Sequence, residues 1–514
     1  MLAPEFPSGL DWLNTDRKYN TVDLRGKFVL LDFWTYGCIN CIHAIPQLKR
    51  LEEKYPELIV IGVHSAKFAN ERESSNIEKA ILRYDIRHPV IVDSEFKIWN
   101  LYGIRAWPSF VLIAPDGEVL GKTSGEGIFE RLDPVISGLI EEYDRRGLLK
   151  RDRMRFPLLK ETNAPEGFLA FPGKICADPA GRRLFVSDSN HHRVLVLSHE
   201  GAILDVIGSG FAGAADGSFY EASFSWPQGL VLDGDHLYIA DTDNNLIRRA
   251  DLQDKMVETV AGKVMEGKSL TSEGLVGNDM QISSPWDLTL FGDWIYIAMA
   301  GTHQIWRMNR MTLRIEPFAG SGREGIVDGL AAQANLAQPS GITTDGNALY
   351  FADSEASALK SIEDDVVITL IGTGLFDFGD VDGPFSQAKL QHPLGVLYHE
   401  GAIFIADTYN HKIKRADLSS KIVVAVAGTG RPGYKDGTAL EAEFKEPGGL
   451  APLDGKIYLA DTNNHQIRVY DPVANTVSTL EIGGKKGPAS KGCELCGVRV
   501  ADTGIFAKAR SKSG

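Results

Sequence analysis

The first 150 residues alternate short apolar runs with amphipathic stretches, and this alternation predicts strands and helices in turn. Runs of strand length are predicted to form strands over 27–34, 58–63, 88–92, 109–114 and 118–121. The last two flank Asp116-Gly117, a strong signal for a two-residue hairpin. Helical spacing of apolar residues predicts helices just after residue 41, over 71–84 and over 128–146. Elements in this order build a sheet with helices on its faces.

From about residue 165 to 482 the pattern changes to short strands in repeating units. A turn motif close to Asp-x-x-Asn-His recurs at spacings of 53, 58, 54, 54 and 54 residues, with its first residue at Asp188, Asp241, Met299, Asp353, Asp407 and Asp461. Upstream of most copies stands a second signature, Asp-Gly and then Phe/Leu-x-x-Pro-x-Gly. Each unit holds about four strands, and six such sheets arranged radially cover one another's faces. We therefore predict six blades, with the turn motif capping local backbone.

Two of the six units depart from the turn motif. In the third unit, Met299 and Gly301 replace the acid and its neighbour, and in the fourth unit Ala356 and Ser357 replace the Asn-His pair. Loss of these polar groups indicates either tolerated drift or a face that is reshaped for a partner. The sequence does not choose between these two explanations.

A chain of 514 residues is too long for one ordinary hydrophobic core, so two or three domains are expected. The pattern divides the chain into a first domain over 1–150, a linker over 151–165, the repeats over 166–482 and a tail over 483–514. The tail is rich in Gly, Lys and Ser and is predicted to be basic and flexible.

Composition and charge exclude several classes of protein. Hydrophobic residues make up 43% of the chain and charged residues 24%, as in ordinary soluble domains. A net charge of −14 disfavours nonspecific nucleic-acid binding, and no stretch approaches the roughly 20 apolar residues that span a bilayer. The N-terminus lacks the basic start and apolar core of a secretory signal. We therefore expect a cytoplasmic protein with neither a membrane nor a nucleic-acid partner.

The candidate chemistry lies where the first predicted strand ends. Cys38 and Cys41 follow that strand, and Asp32 lies within it. Free backbone N–H groups at a helix start lower the pKa of a thiol, so Cys38 is expected to be the attacking thiol. Cys41, one turn further into the helix, is expected to resolve the mixed disulfide. A buried carboxylate has a raised pKa, which suits Asp32 to accept the Cys41 proton.

This region resembles the thioredoxin superfamily. The matching residues are Asp32, Phe33, Trp34, Cys38, Cys41 and Pro46. The resemblance implies that Pro108, in Trp107-Pro108, is the cis-proline that faces the cysteines and shapes the docking groove. The chain departs from thioredoxin between the cysteines, where Ile39 and Asn40 replace Gly-Pro. Because these two positions help to set the potential, the direction of electron flow is left open.

Other interpretations of the cysteine pair are weaker. A zinc site would need four ligands, and only His43 lies near the pair in the sequence. A peroxiredoxin site is disfavoured because Leu31 stands where a proline is needed. The pair could also be a remnant in a scaffold that only binds.

The remaining three cysteines give less information. Cys176 is predicted to lie in the inner strand of the first blade as a small buried hydrophobe. Cys493 and Cys496, in the tail, form half of a zinc knuckle. An idle pair, a second redox pair and a shared metal site all stay open for them.

The repeats resemble NHL repeats, and the whole chain resembles the family of NHL repeat-containing protein 2. The resemblance implies a multidomain protein in which an α/β thioredoxin-like domain precedes an all-β, six-bladed NHL propeller. It also implies a thiol–disulfide oxidoreductase with no cofactor beyond the Cys38–Cys41 disulfide and with a protein substrate that the propeller recruits. The alternatives are a non-catalytic interaction scaffold that binds protein partners on a propeller face and, as some NHL-type propellers are, a lyase or hydrolase.

Overall fold

The structure, a computed structural model, describes residues 1–163, 167–263 and 280–483. Within these residues one mixed sheet with helices is followed by six antiparallel sheets. The predicted class, an α/β thioredoxin-like domain followed by a six-bladed propeller, is therefore confirmed. The predicted tail beyond residue 483, with Cys493 and Cys496, lies outside the described residues.

The strands of the first domain are β1 (Trp12–Leu13), β2 (Phe28–Trp34), β3 (Leu58–His64), β4 (Val90–Val92), β5 (Ser109–Ile113) and β6 (Val119–Ser124). The helices are α1 (Ile39–Lys54), α2 (Ser74–Arg83), α3 (Lys97–Leu101), α4 (Ile128–Arg145) and α5 (Leu159–Asn163). The sheet order is β1-β4-β3-β2-β5-β6. Strands β2, β3 and β4 are parallel, whereas β5 runs antiparallel to β2, and β6 runs antiparallel to β5.

Strand β2 is buried at every position because both faces of the sheet are covered. Helices α1 and α4 pack against Phe28 and Leu30 on one face. Helix α3 and the N-terminal segment pack against Leu31 and Phe33 on the other. A strand that is buried on both faces has a continuous run of apolar residues, and this run explains why β2 could be predicted well from the sequence.

The first domain differs from the prediction in its short elements. Strand β1, with two residues, and α3, with five, are too short to leave a periodic pattern, and α5 lies within the predicted linker. The predicted helix over 71–84 begins only at Ser74, after a 3₁₀ turn over Asn70–Arg72. Glu71 lies in that turn, and its side chain accepts hydrogen bonds from backbone N–H groups outside α2.

Each propeller blade has four antiparallel strands, with a two-residue edge strand added in blades two, four, five and six. Blade one has β7 (Pro172–Asp178), β8 (Arg183–Asp188), β9 (Arg193–Ser198) and β10 (Ile203–Ile207). Blade two has β11 (Gly217–Ser218), β12 (Pro227–Asp233), β13 (His236–Asp241), β14 (Leu246–Asp251) and β15 (Met256–Gly262). Blade three has β16 (Pro285–Phe291), β17 (Trp294–Met299), β18 (Gln304–Asn309) and β19 (Ile315–Ala319).

The remaining blades carry the Asp-Gly signature in their edge strands. Blade four has β20 (Gly329–Leu330), β21 (Pro339–Thr344), β22 (Leu349–Asp353), β23 (Ala358–Glu363) and β24 (Val366–Ile371). Blade five has β25 (Gly383–Pro384), β26 (Gly395–His399), β27 (Ala402–Asp407), β28 (Lys412–Asp417) and β29 (Ile422–Ala427). Blade six has β30 (Gly437–Thr438), β31 (Pro447–Leu453), β32 (Lys456–Asp461), β33 (Gln466–Asp471) and β34 (Thr476–Thr479).

One residue per blade, directly before a proline, has a left-handed backbone with φ between +46° and +61°. We call these the ring residues: Phe171, Trp226, Ser284, Gln338, His392 and Glu446. The backbone N–H of each donates to a side chain of the preceding blade over 2.7–3.3 Å. The acceptors, in the same order, are His465, His192, Asn245, His303, Ser357 and His411.

The turn motif therefore acts over longer distances than we predicted. Its last residue bonds the next blade, as described above. In blade six, Asp461 accepts the backbone N–H of Lys445, 16 residues upstream, at 2.7 Å and binds the buried Arg468 at 2.8 Å. The prediction of purely local capping is wrong, because the motif joins segments that are distant in the chain.

The ring of blades is closed by side chains of the last blade. His465 accepts the backbone N–H of Phe171 at 3.0 Å, and Thr462 Oγ1 donates to the carbonyl of Pro172 at 2.9 Å. These bonds join residues that are 294 and 290 positions apart. Closure therefore depends on hydrogen bonds between the chain's first and last blades.

Replacing His465 with alanine is expected to lower the free energy of unfolding by about 1–3 kcal/mol at neutral pH, because the buried Phe171 N–H loses its acceptor. His465→Asn is the matched control, since Asn245 makes the same bond in blade two. Urea unfolding followed by tryptophan fluorescence measures both variants. Equal losses in the two variants would contradict the role of this bond.

The asparagine variant is also expected to change the acid sensitivity. Burial lowers the pKa of His465 to about 3, whereas an unfolded histidine has a pKa of about 6.5. The unfolded state therefore binds more protons between these values, and this contribution to stability is lost as the pH falls below about 6.5. His465→Asn should lose less stability than the native chain between neutral pH and about pH 5.

Candidate active site

The two cysteines follow the C-terminal end of strand β2, which lies inside the sheet. Cys38 follows the strand as the N-cap residue of α1, and Cys41 lies one turn into the helix. Both are free thiols. Cys38 is 8% exposed and Cys41 is 1% exposed, so the attacking position is itself nearly covered.

The two thiols have opposite electrostatic environments. A hydrogen bond from the Cys41 side chain lowers the pKa of Cys38 against the effect of burial, and the charge of Lys67 acts in the same direction. Burial raises the pKa of Cys41 well above its usual value, and the bond to Cys38 adds to this. A thiolate therefore forms first on Cys38, with Cys41 as its protonated neighbour.

Asp32 is buried in β2, and its Oδ1 lacks a hydrogen-bond partner within the described residues. Burial raises the pKa of Asp32 to about 7, with His88 opposing and Glu52 supporting the shift. The charge of Asp32 in turn helps to raise the pKa of Cys41. A carboxyl group that titrates near neutral pH can take up a proton as well as release it.

Sequence reasoning missed Glu52 and His88, which act on Asp32. Glu52 Oε1 lies 3.3 Å from His88 Nδ1. A signal for Glu52 was present: it continues the stripe of Cys41 and Leu48 on the inner face of α1, where an acid interrupts an apolar row. No comparable pattern marks His88, which precedes β4 in a loop.

The other residues predicted for the site differ in how closely they are packed around the thiols. Trp34 and Trp107 share one apolar cluster with both cysteines. The peptide bond between Trp107 and Pro108 is cis, and Pro108 is buried just before β5. Pro46 lies inside α1, two turns from the thiols.

The segment before Cys38 is held by Glu71, another residue that sequence reasoning missed. This fully buried carboxylate accepts the Thr35 hydroxyl and, at 2.9 Å, the backbone N–H of Gly37. It also accepts the backbone N–H groups of Lys67 at 2.7 Å and Phe68 at 3.0 Å. One acid therefore ties the cysteine loop to the loop after β3, and its only sequence signal is an acid at the first position of the predicted helix.

The propeller binds the cysteine loop directly through the ring residue Gln338. Its Oε1 accepts the backbone N–H of Ile39 at 2.8 Å, and its Nε2 donates to the carbonyl of Gly37 at 2.9 Å. These two residues flank Cys38. Of the two residues between the cysteines, Ile39 is therefore buried against the propeller, whereas Asn40 is partly exposed.

A second ring residue, Glu446, collects three donors from the first domain. Its carboxylate accepts Tyr36 Oη at 3.1 Å, Asn70 Nδ2 at 3.0 Å and Arg83 at 2.7 Å. Arg83 and Glu446 are both buried, with side chains 7% and 1% exposed. Lys67 forms a further buried ion pair with Glu355 of blade four. Charges buried in this way are stable only while they stay paired.

Apolar and aromatic groups fill the space between these bonds. Ile39 and Ile42 pack against Trp226, Trp286 and Ala300 of the propeller. In a second contact, the ring of Phe68 lies 5.0 Å from that of His392 and 5.6 Å from that of Tyr409. Each ring residue thus contributes to the face that meets the first domain.

The turns of the two divergent blades also contact the first domain. In blade three, Ala300 packs against Ile39, and a Cβ added at Gly301 would overlap Ser283 Oγ of the propeller and lie 2.9 Å from His43 Cε1. In blade four, Glu355 pairs with Lys67 in the turn that lacks Asn-His. Of the substituted residues themselves, Met299 and Ala356 pack within the propeller and Ser357 bonds the next blade, so the choice between drift and a reshaped face stays open.

His43 bridges the two domains rather than binding near Cys38 as a ligand. Its Nδ1 lies 2.7 Å from Glu126 Oε1, and its Nε2 lies 2.7 Å from Ser284 Oγ. The order acid–imidazole–hydroxyl is that of a serine hydrolase. Ser284 is only 4% exposed, however, which leaves no room for an acyl substrate in this arrangement.

Cys176 lies apart from the cysteine pair, in the innermost strand of blade one. It lines a cavity of about 230 Å³ in the centre of the propeller, whose floor is the ion pair of Lys174 and Asp287. Burial raises the pKa of Cys176 to about 12, so it is a poor nucleophile. Within the described residues, no three His, Cys, Asp or Glu side chains form a metal-binding cluster.

Comparison with known proteins agrees with this architecture. Residues 26–119 match the thioredoxin-like family, and residues 169–197 and 224–249 match the NHL repeat. The chain is 41% identical over 523 residues to NHL repeat-containing protein 2 of Bos taurus, covering 94% of this chain and 72% of that protein. The first domain is 32% identical over 117 residues to Thiol-disulfide oxidoreductase ResA of Bacillus cereus, covering 23% of this chain and 66% of that protein.

A plant relative is similar over nearly the whole chain. The identity to Protein SUPPRESSOR OF QUENCHING 1, chloroplastic, of Arabidopsis thaliana is 42% over 533 residues. The match covers 98% of this chain and 50% of that protein, so the chain spans half the length of this relative. None of the described helices is long and apolar enough to cross a membrane.

Glu71→Gln is expected to lower stability by about 1–3 kcal/mol, because an amide nitrogen would face backbone N–H groups that now have an acceptor. The same change should alter the pH dependence of Cys38 alkylation, since Gly37 would lose its anchor. The exposed neighbour Glu73, which makes no side-chain cap bond, provides the control Glu73→Gln. An unaltered alkylation profile in Glu71→Gln would contradict a positioning role.

Proposed function

The chain belongs to the family of NHL repeat-containing protein 2, and we propose that it is a thiol–disulfide oxidoreductase that acts on protein substrates. The observation that carries the proposal is the pairing of a Cys38 thiol of lowered pKa with a Cys41 thiol of raised pKa, directly below it in the same helix. This division separates an attacking thiol from a resolving thiol. The similarity of the first domain to a named thiol-disulfide oxidoreductase supports the same function.

The proposed reaction uses residues of the first domain only. The Cys38 thiolate attacks one sulfur of a substrate disulfide, which forms a mixed disulfide and releases the other substrate sulfur as a thiolate. Cys41 gives its proton to Asp32 and attacks Cys38 Sγ, so the Cys38–Cys41 disulfide forms and the second substrate thiolate leaves. Two electrons pass from the protein dithiol to the substrate, and the reverse sequence runs if the pair is the oxidant.

Other parts of the proposal concern the surroundings of the dithiol. Pro108 would shape the groove in which the substrate chain lies, with Trp107 beside it and Trp34 packed behind the thiols, and Ile39 and Asn40 would tune the potential. A cytoplasmic location, no cofactor besides the disulfide and recruitment of a protein by the propeller belong to the proposal as well. Because the first domain occupies the face with the ring residues, recruitment would use the other propeller surfaces.

A second candidate function is a scaffold in which both domains only bind. The observation that favours it is the burial of Cys38, which is 8% exposed and covered by the propeller. A thiol that never reacts needs no access. The two functions differ in whether the cysteine pair has a reversible potential.

The test of the proposed function is the midpoint potential of the Cys38–Cys41 pair, from equilibration in glutathione buffers, alkylation and mass spectrometry. A value near or below about −250 mV is expected for a reductant of the thioredoxin type. A value well above about −200 mV would indicate an oxidant or isomerase. Cys176 serves as the internal control, and Cys41→Ser should abolish the transition. If the Cys38–Cys41 pair shows no reversible titration, the scaffold function is the one that remains.

Asp32→Ala is expected to slow resolution of the mixed disulfide by roughly a hundredfold near neutral pH, as loss of a general base does. In the native chain this step should accelerate as the pH rises through about 7, because only ionised Asp32 accepts the proton. The variant should lose that inflection. Single-turnover kinetics with a chromogenic mixed disulfide on Cys38 measure both effects.

Glu57→Gln provides the control for this measurement. Glu57 is also a buried acid of the first domain, but it directly precedes β3, at the opposite end of the sheet from Cys38. It should leave the resolving step unchanged. Identical kinetics in Asp32→Ala and the native chain would remove Asp32 from the mechanism.

A further inference from the structure

Disulfide exchange on a protein requires access that this arrangement does not provide. The attacking sulfur must approach one substrate sulfur in line with the S–S bond, which itself joins two chain segments about 5.5–6 Å apart at their Cα atoms. Cys38 is 8% exposed. A folded substrate that carries such a linkage therefore does not fit over Cys38 while the domains are packed as described.

The cover over Cys38 is the propeller. Gln338 bonds the backbone of both neighbours of Cys38, at 2.8 Å and 2.9 Å. A methyl group added to Gly37 would lie 2.9 Å from Tyr409 Oη and 3.2 Å from His392 Cε1. Propeller atoms are thus in van der Waals contact with the residue that precedes Cys38.

The contacts that hold this cover in place include buried polar ones, beside the apolar packing of Ile39 and Ile42 on the propeller. Glu446 accepts three donors from the first domain, and Lys67 pairs with Glu355. Ions that are buried in an interface regain their hydration when the interface opens, which offsets the loss of their attraction. Polar interfaces between domains of one chain are typical of domains that move relative to each other.

We propose that the propeller acts as a gate over Cys38. The closed arrangement shields the dithiol, and exchange with a protein disulfide takes place only after the two domains part. They part at two sets of contacts, which we call the latch: Glu446 with Arg83, and Gln338 with Gly37 and Ile39. This inference rests on the proposed oxidoreductase function and adds its regulation. In the closed state the thiols are protected from adventitious oxidation. In the open state the reaction runs as written above, with the same transfer of two electrons.

The test is the rate at which Cys38 in the reduced, full chain is alkylated by iodoacetamide and by a maleimide linked to polyethylene glycol. Mass spectrometry of the peptide that contains Cys38 gives each rate, relative to free cysteine. The bulky reagent should react at least a hundredfold more slowly than it does with free cysteine. Glu446→Gln, which leaves Arg83 unpaired, should speed its reaction at least tenfold, equivalent to about 1.4 kcal/mol of opening free energy.

Two further variants make the result decisive. Gln338→Ala removes the second part of the latch. If Glu446→Gln does not fold, the alkylation rate of Cys38 in Gln338→Ala provides the test instead. Glu316→Gln breaks a comparable carboxylate–arginine pair with Arg307 on the outer strands of blade three and should leave the rate unchanged. Equal labelling in the native chain and in both latch variants would overturn the gate.

The measurement separates the gate from the chemistry because alkylation needs no turnover. A pair that titrates reversibly but is labelled by the bulky reagent as fast as free cysteine overturns the gate and leaves the oxidoreductase. A latched Cys38 that never forms a disulfide overturns the oxidoreductase, and with it a gate that serves exchange.

Discussion

Six left-handed residues, each fixed by a hydrogen bond from its own N–H to the neighbouring blade, are the constraint on which the arrangement of the two domains depends. A residue with a side chain adopts this conformation at a cost of about 1–2 kcal/mol, and it does so only where the surroundings enforce it. Here the histidine, asparagine or serine of the turn motif enforces it. The consequence is that every blade directs one side chain toward the first domain, and two of them, Gln338 and Glu446, hold the cysteine loop and the helix beside it.

Much of this architecture could be predicted from the sequence, because its signals are repetitive or local. The apolar run of β2 and the spacing of Asp32, Cys38 and Cys41 identified the first domain, and the period of about 54 residues gave six blades. The ring residues were not identified because they occupy a variable position of the repeated signature, directly before its proline. Their chemistry is set by what they face in the other domain, and a repeat pattern contains no information about that.

The electrostatics of the site depends on long-range packing for the same reason. The raised pKa of Asp32 could be expected for an acid in a buried strand, but the influence of Glu52 and His88 requires the helix and the loop to lie beside it. Glu71 likewise binds the Thr35 hydroxyl and the Gly37 backbone, which are more than 30 residues away. The two thiols and Asp32 form one coupled system, whose protonation belongs to the group rather than to one residue.

The six ring residues also differ in chemical type, although the blades that carry them are nearly equivalent. A propeller of six similar blades offers six rotational settings to a domain placed over its face. Only one setting brings the carboxylate of Glu446 to Arg83 and the amide of Gln338 to the backbone around Cys38. The ring residues therefore contribute to breaking the sixfold pseudosymmetry, and the order of the blades along the chain determines the angle at which the dithiol is held. A circular permutation by one blade would keep the cyclic order of the ring residues but would move the point at which the first domain is attached by one blade relative to Gln338 and Glu446.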